Sequence, residues 1–263
     1  MSEHPDFLRT PKNVFNVDPR STGYAVLGEH GWRQKTLDDH YSAVAQITVH
    51  DGVPREIVVK FETAKNLNLF SWFVYRFHTA ARSQVYECLE FALRTRFADE
   101  LLAHEEQKRR ARYEQELRGN PQNAKLYKSI DKKTFRPTMH PLLKYSIDIG
   151  ALKNEQFTAW QLKTKIRARS RKDVEMIEKM KELGLQEMQT DTRDAGITDE
   201  DRDHDYLGLV LESIPFLRNH YAHGTSSLDD KSLSALRLAS EIINQIFPRP
   251  HVAIEVSTPE QRP

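Results

Sequence analysis

The sequence predicts an all-α fold, a helical bundle preceded by an irregular N-terminal arm. Three observations carry that reading. Apolar residues recur at three- and four-residue steps through most of residues 65–248, the period of a helix with one buried face. The longest such stripe, over 69–117, holds neither glycine nor proline. Hydrophobic residues make up 38% of the chain and charged residues 29%, a wet composition that suits long helices with solvated faces.

Residues 1–40 are polar, with Pro5, Pro11, Pro19, Gly23, Gly28 and Gly31 scattered among them. They read as an arm ordered only where it packs on the body. Residues 41–65 carry two signals. Asp51-Gly52 between AQITV and REIVVKF has the look of a hairpin turn. Against it, Ile57, Phe61 and Ala64 recur at helical spacing after Pro54, a good first-turn residue, and the balance favours a short helix. A long helix is expected from Leu69 to about Leu117. Its stripe is Phe70, Phe73, Phe77, Ala80, Ala81, Val85, Cys88, Leu89, Ala92, Leu93 and Phe97, and it turns highly charged after His104.

A linker with breakers at both ends covers 119–140. Helices are expected from Pro141 to Gly150, from about Glu155 to Ser170, and over Val174, Ile177, Met180 and Leu183, the last stopped by Gly184. Residues 185–205 read as an acidic loop. The next helix uses Leu207, Val210, Leu211, Ile214 and Leu217, and Pro215 must kink or restart it. The last begins after Ser226 or Ser227, with Asp229 and Asp230 in its first turn, and buries Leu233, Leu236, Ala239, Ile243 and Ile246. The expected division is an arm over 1–64, a helical domain over 65–248 and a tail over 249–263.

Net charge is +1, so no global field demands nucleic acid and any basic surface must be local. The single cysteine, Cys88, excludes an internal disulfide framework and a zinc site built on several cysteines. There is no apolar run of signal-peptide length at the N-terminus and none near the ~20 residues of a membrane span, which leads to the expectation of a cytoplasmic protein. Glycine-rich phosphate loops, nucleophile elbows and zinc signatures are missing from the sequence, so neither cofactor nor metal is expected. Asp201, Asp203, Asp205 and Glu212 fall at positions one, three, five and twelve of a calcium loop, but Tyr206 stands where that loop needs glycine. These acids read instead as helix-start charges.

The most informative run is Arg218-Asn219-His220-Tyr221-Ala222-His223, followed by Gly224. Arginine is a permanent cation whose planar fork suits phosphate. Histidine gives or takes a proton near neutral pH. The pair suffices for attack on a phosphodiester without a metal. The order of a long amphipathic helix (YRFHTAARSQVYECLEFALRTRF), a later helical pair and then IPFLRNHYAHG resembles the HEPN superfamily. Its hallmark is an arginine, a polar residue directly after it, and a histidine four to six positions beyond the arginine. Arg218, Asn219 and His223 match it position by position, and the resemblance covers roughly residues 65–248.

The resemblance implies a compact helical domain, usually dimeric, and in many relatives a metal-independent ribonuclease, among them toxins of toxin–antitoxin pairs and antiphage-defence proteins. Other members are non-catalytic and bind a nucleotide or a protein partner, and a third reading is a toxin silenced by an antitoxin. In the catalytic reading His223 is general base, Arg218 holds the phosphate, and Asn219 orients His223 or a phosphate oxygen. RNA would be cut through the ribose 2′-hydroxyl to leave a 2′,3′-cyclic phosphate. His220 and Tyr221 are possible auxiliaries, more readily explained as packing or rim residues. Positions five apart on a continuous helix are rotated by ~140°, so Arg218 and His223 would not share a face. Either the helix breaks near Tyr221, or Pro215 reshapes it, or two chains combine across a two-fold axis. The last, helped by the first, is the reading favoured here. In the bland reading, Arg218 and His223 cap a helix and satisfy buried carbonyls.

The run KTKIRARSRK offers Lys163, Lys165, Arg167, Arg169, Arg171 and Lys172 as an RNA-backbone track or, equally, as a solvated helix face. Trp72, Phe73 and Tyr75 read as core aromatics rather than a base-stacking platform, and Cys88, among apolar neighbours, as inert.

Overall fold

The computed structural model describes residues 4–119, 127–188, 195–222, 228–247 and 249. These are mostly helical, with one two-stranded hairpin near the N-terminus. The elements in chain order are β1 (Ala25–Gly28), β2 (Gly31–Gln34), α1 (Leu37–Ala45), α2 (Arg55–Phe70), α3 (Phe77–Gly119), α4 (Met139–Asp148), α5 (Thr158–Glu182), the short α6 (Asp199–Arg202), α7 (Tyr206–Ala222) and α8 (Ser232–Ile246).

The arm holds more regular structure than its composition suggests. β1 and β2 pair antiparallel, Ala25 opposite Gln34 and Gly28 opposite Gly31. Gly31 sits at φ +110°, a conformation that costs glycine little and other residues much. α1 then opens on a capping box. Thr36 accepts from the Asp39 amide, and the Asp39 carboxylate reaches back to the Thr36 amide. The same carboxylate takes both prongs of Arg33, at 2.6 and 2.7 Å, so the hairpin and helix brace each other.

Asp51-Gly52 does form a turn, but no hairpin follows it; helix α2 starts right after Pro54 and buries Ile57, Phe61 and Ala64. His50 anchors that turn. Its Nε2 lies 3.1 Å from the Asn244 carbonyl and 3.0 Å from that of Phe247, while its Nδ1 accepts from the Gly52 amide.

The expected helix from Leu69 is in fact interrupted. α2 ends at Phe70, a turn takes residues 71–76, and α3 begins at Phe77. The cause lies in the arm. Buried Asp18 donates its amide to the Trp72 carbonyl, and its carboxylate accepts from the Tyr75 amide at 3.2 Å. Backbone groups freed by breaking the helix thus find partners elsewhere in the chain. Arg20 binds Asp18 and Asp6 and lies over the Tyr75 ring, which fastens the arm to the turn. Consequently the first members of the expected stripe are not core: Phe70 and Ala80 are exposed and Phe73 and Phe77 only half-buried. Trp72 is buried, while Tyr75 and Phe73 are half-buried.

From Ala81 onward the stripe behaves as expected. Val85, Cys88, Leu89, Ala92, Leu93 and Phe97 are wholly buried. α2, α4, α7 and α8 all pack on α3, and their apolar faces join its stripe in one core. α4 is stopped by Gly150, at φ +71°. α5 is a single helix where two were expected. Its buried residues, Trp160, Thr164 and Ala168, lie in its first half, and Val174, Ile177 and Leu183 are exposed. α7 runs through Pro215 without ending or restarting. Its first turn is served by Asp205, which accepts from the Gly208 amide at 2.8 Å, and by Asn154, which accepts from those of Tyr206 and Leu207. α8 begins at Ser232, later than expected, so Asp229 and Asp230 precede the helix rather than occupying its first turn. No helix among the described residues is long and apolar enough to cross a membrane.

Burial makes a sharp prediction about two phenylalanines. Phe97 is fully buried and Phe216 is 68% exposed. Phe97→Ala should lower the unfolding free energy of the single chain by ~3–5 kcal/mol in a denaturant titration, whereas Phe216→Ala should change that of the single chain by no more than about 0.5 kcal/mol.

Candidate functional site

The face of α3 next to its apolar stripe carries a polar residue every four positions: His78, Arg82, Tyr86, Glu90 and Arg94. Four-residue steps place side chains above one another on a helix. The first four are buried, and a buried polar group costs free energy unless it is partnered. The partners come mainly from the motif-bearing helix α7, the segment before α8, and α8 itself.

His78 Nδ1 lies 2.6 Å from Ser232 Oγ, which also accepts from Asn68 Nδ2 at 2.5 Å. Arg82 forms an ion pair with both carboxylate oxygens of Asp229, and its guanidinium lies 4.2 Å over the Tyr221 ring. The Tyr221 hydroxyl donates to Asp229 Oδ2 at 3.2 Å, and its ring stacks on Tyr86. Glu90 takes Arg218 Nε at 2.7 Å and Arg94 at 2.6 Å.

The arginine of the motif is therefore positioned by a carboxylate. Arg218 sits on the last turn but one of α7 with about a third of its side chain exposed. Glu90 engages it through Nε, so the prongs of its fork are not what the carboxylate binds. Its Nη1 makes only a long contact, 3.4 Å, with Asn219 Oδ1. Arg218 lies ~200° around the helix from Phe216, and His220 lies ~40° from it, at 100° per residue. His220 accordingly stacks on exposed Phe216, with centroids 6.2 Å apart and planes 13° apart. α7 thus presents its arginine to α3 and its histidine to solvent. Tyr221 is fully engaged in the Arg82–Asp229 cluster. Burial pushes its hydroxyl up to about 12, with Asp229 adding to the effect, which makes it a poor proton donor near neutral pH. His223, the proposed base, lies outside the described residues.

The basic run on α5 divides. Arg171 pairs with Asp201 and Glu175, and Arg167 donates to the Glu200 carbonyl, so both bind α6 and its surroundings. Lys163, Lys165 and Arg169 are exposed, and Lys172 is half-buried. Leu162 and Ile166 are exposed among them, so the face mixes basic and apolar groups. The acids of the calcium-like pattern serve local structure. Asp201 caps α6 through Thr198 and pairs with Arg171, and Asp205 caps α7. Among the described residues no group of three or more His, Cys, Asp or Glu is placed to hold a metal ion. Burial pushes the Cys88 thiol up to about 12, so it carries little thiolate.

Comparison with protein-family models, with curated proteins and with solved structures found no match for this chain.

Three participants escape a reading by apolar periodicity: Glu90, Arg82 and Asp229. The signal for the first two was present as the four-residue recurrence of polar side chains inside an apolar segment. Asp229 gave no such signal, because an acid before a helix has a sufficient local explanation.

Two outcomes follow from the ladder. Burial raises the Asp229 carboxyl and the Arg82 guanidinium more than offsets it, so the group is held below the usual range. Asp229→Ala would leave Arg82 buried and unpaired, and denaturant titration should register a loss of ~3–5 kcal/mol; Tyr221→Phe, which removes one hydrogen bond, should cost ~1 kcal/mol. Burial also lowers His78 to about 4, well below the ordinary histidine value of about 6.5. Between those values the unfolded chain binds a proton that the folded chain refuses. Stability should therefore be fully present above about pH 6.5 and fall as pH drops toward 4, by at most ~3 kcal/mol from this group. The slope of melting temperature against pH over that window should be shallower in His78→Gln.

Proposed function

We propose that this chain is a metal-independent endoribonuclease of HEPN type, a toxin or defence effector that cleaves RNA through the 2′-hydroxyl. The observation that carries the reading is the bond that Arg218 Nε donates to Glu90. A phosphate-binding arginine works best when held in one orientation, because the ordering cost is then met before substrate arrives. Glu90 supplies that hold from α3 without occupying the fork, and Arg218 and Asn219 stand on α7, the last helix but one among the described residues. Arg218 stabilises charge on the phosphate, His223 takes the 2′-hydroxyl proton, and Asn219 orients the histidine or a phosphate oxygen. The proton for the leaving oxygen comes from His220 or from the partner's histidine.

A homodimer belongs to this reading. Leu209, Phe216 and His220 lie within ~40° of one another on α7, and Leu209 and Phe216 are exposed. An unpartnered apolar pair beside the motif suits a second copy, whose histidine would complete a site that one helix splits between two faces. A defence or antitoxin protein is the further partner this class implies.

The same ion pair also favours a second reading, a catalytically silent module that binds a nucleotide or a protein partner. Glu90 partly neutralises Arg218, and a charge satisfied internally is weaker toward phosphate.

The two readings part in one experiment. Incubated with single-stranded RNA in EDTA, the wild type should produce fragments ending in 2′,3′-cyclic phosphate, and His223→Ala should be slower by ~10²–10⁴. Arg218→Ala should fall comparably, and Arg218→Lys should rescue poorly because the fork is lost. Wild-type RNA left intact, with Arg218→Ala costing stability instead, would establish the silent module. Light scattering at micromolar concentration should give about twice the chain mass of 30.6 kDa; a strict monomer would remove the composite site.

A further inference from the structure

On the far side of the α3 ladder from Arg218, a cavity of 260 Å³ lies between the arm and the N-terminal end of α8. It plays no part in the reading above. Its walls come from the arm at Ser21, Tyr24 and Lys35, from α1, α2 and the turn after it, α3 and the start of α8, and most of the lining residues carry a polar group. The geometry points to a binding site there for a small hydroxylated phosphate monoester, of sugar-phosphate size.

Two features support an anion. Lys35 and Lys231 line the cavity against a single carboxylate, Asp230, a surplus of one positive charge. Lys35 Nζ lies 3.3 Å from His40 Nδ1, a neutral acceptor, and the carboxylates of Asp230 and Asp39 act on its charge without outweighing the burial that lowers it. α8 is a 15-residue helix, and no side chain caps its N-terminus. Its first-turn residues Leu233 and Ser234 border the cavity, so the positive end of the helix dipole faces it.

A second observation calls for more than a bare anion. Asn68 is 0% exposed and lines the cavity; its Nδ2 is used by Ser232, but its Oδ1 has no hydrogen-bond partner among the described residues. An acceptor left unmade in the interior is costly and wants a donor. Phosphate oxygens only accept when fully ionised, so the donor is a hydroxyl on the same ligand. His40 is spent within the protein, its Nε2 on the Asn68 carbonyl and its Nδ1 on Lys35, and His78 has its Nδ1 on Ser232. Burial lowers His78, so as a neutral ring it adds no charge that competes for the phosphate. At the ~30 Å³ share of a liquid water molecule, the space equals roughly nine waters. That accommodates a phosphate and a short polyol, and it is tight for a whole nucleotide.

The test is calorimetric titration of the full chain in phosphate-free buffer with ribose 5-phosphate, ribose and inorganic phosphate. Ribose 5-phosphate should bind at least tenfold more tightly than inorganic phosphate, and ribose should give no heat. Lys35→Gln, on the arm and away from the core, should weaken the ester at least tenfold, as should Lys231→Glu at an exposed position. No binding of the ester at millimolar concentration, or unchanged affinity in both folded variants, overturns the site. Equal affinity for ribose and its phosphate overturns the anion assignment, and equal affinity for the ester and inorganic phosphate overturns the role given to Asn68. None of these readouts involves RNA, so they stand apart from the nuclease reading.

Discussion

The rest of the structure depends on a single demand made by α3: it must satisfy two adjacent stripes at once. One is apolar and is met by any well-shaped hydrocarbon surface. The other is the ladder of His78, Arg82, Tyr86 and Glu90, buried groups that need particular atoms at particular heights. Hydrophobic contact between helices tolerates sliding, whereas Arg82 on Asp229 and Glu90 on Arg218 do not. The ladder therefore sets the register of α7, of the segment before α8 and of α8 itself. The motif inherits its position from that register, since Arg218 and Tyr221 are both partners of rungs.

What was readable in the sequence was whatever depends on local period. The helix over Ile57, Phe61 and Ala64, the α3 stripe from Ala81 to Phe97 and the buried face of α8 all follow from apolar spacing. What escaped depends on groups distant in the chain. α3 begins at Phe77 because Asp18 offers the turn before it a carboxylate and an amide, and no window around residue 70 contains that information. The α5 stripe of Val174 and Ile177 misled in the opposite sense: the period was real, but no element comes to cover it. At the candidate site, Arg218 was legible as a chemical type while Glu90, which aims it, was not. His220 stacks on exposed Phe216, and Tyr221 packs against Arg82.

The arm changes how the motif is to be viewed. Residues 4–40 are outside the resemblance that the motif suggests, yet they fasten the α2–α3 turn through Asp18 and Arg20 and roof the cavity at the start of α8. Ser232 binds the first rung, His78, and Asp229 binds the second, Arg82. The segment 229–232 is thus gripped by α3 at two successive heights, with the cavity on one side and the motif helix on the other. A ligand that tightened the first grip would bear on the second through a path of four residues.

The two longest helices outrun the core they help to build. α3 has 43 residues, and its last buried side chain is Leu101; α5 has 25, and its last is Ala168. At 1.5 Å per residue, about 27 Å of α3 and about 21 Å of α5 continue beyond that point. Those lengths are held by their own ladder of backbone bonds and by polar ties to neighbouring segments, Glu106 and Arg109 to residues 127–130 and Arg171 to Asp201. Amide protons there can exchange by local opening, while those near Leu89 and Leu93 must wait for the whole domain to open. One continuous helix would then span nearly the full range of exchange lifetimes in the molecule, from milliseconds at its tip to the global unfolding time at its root.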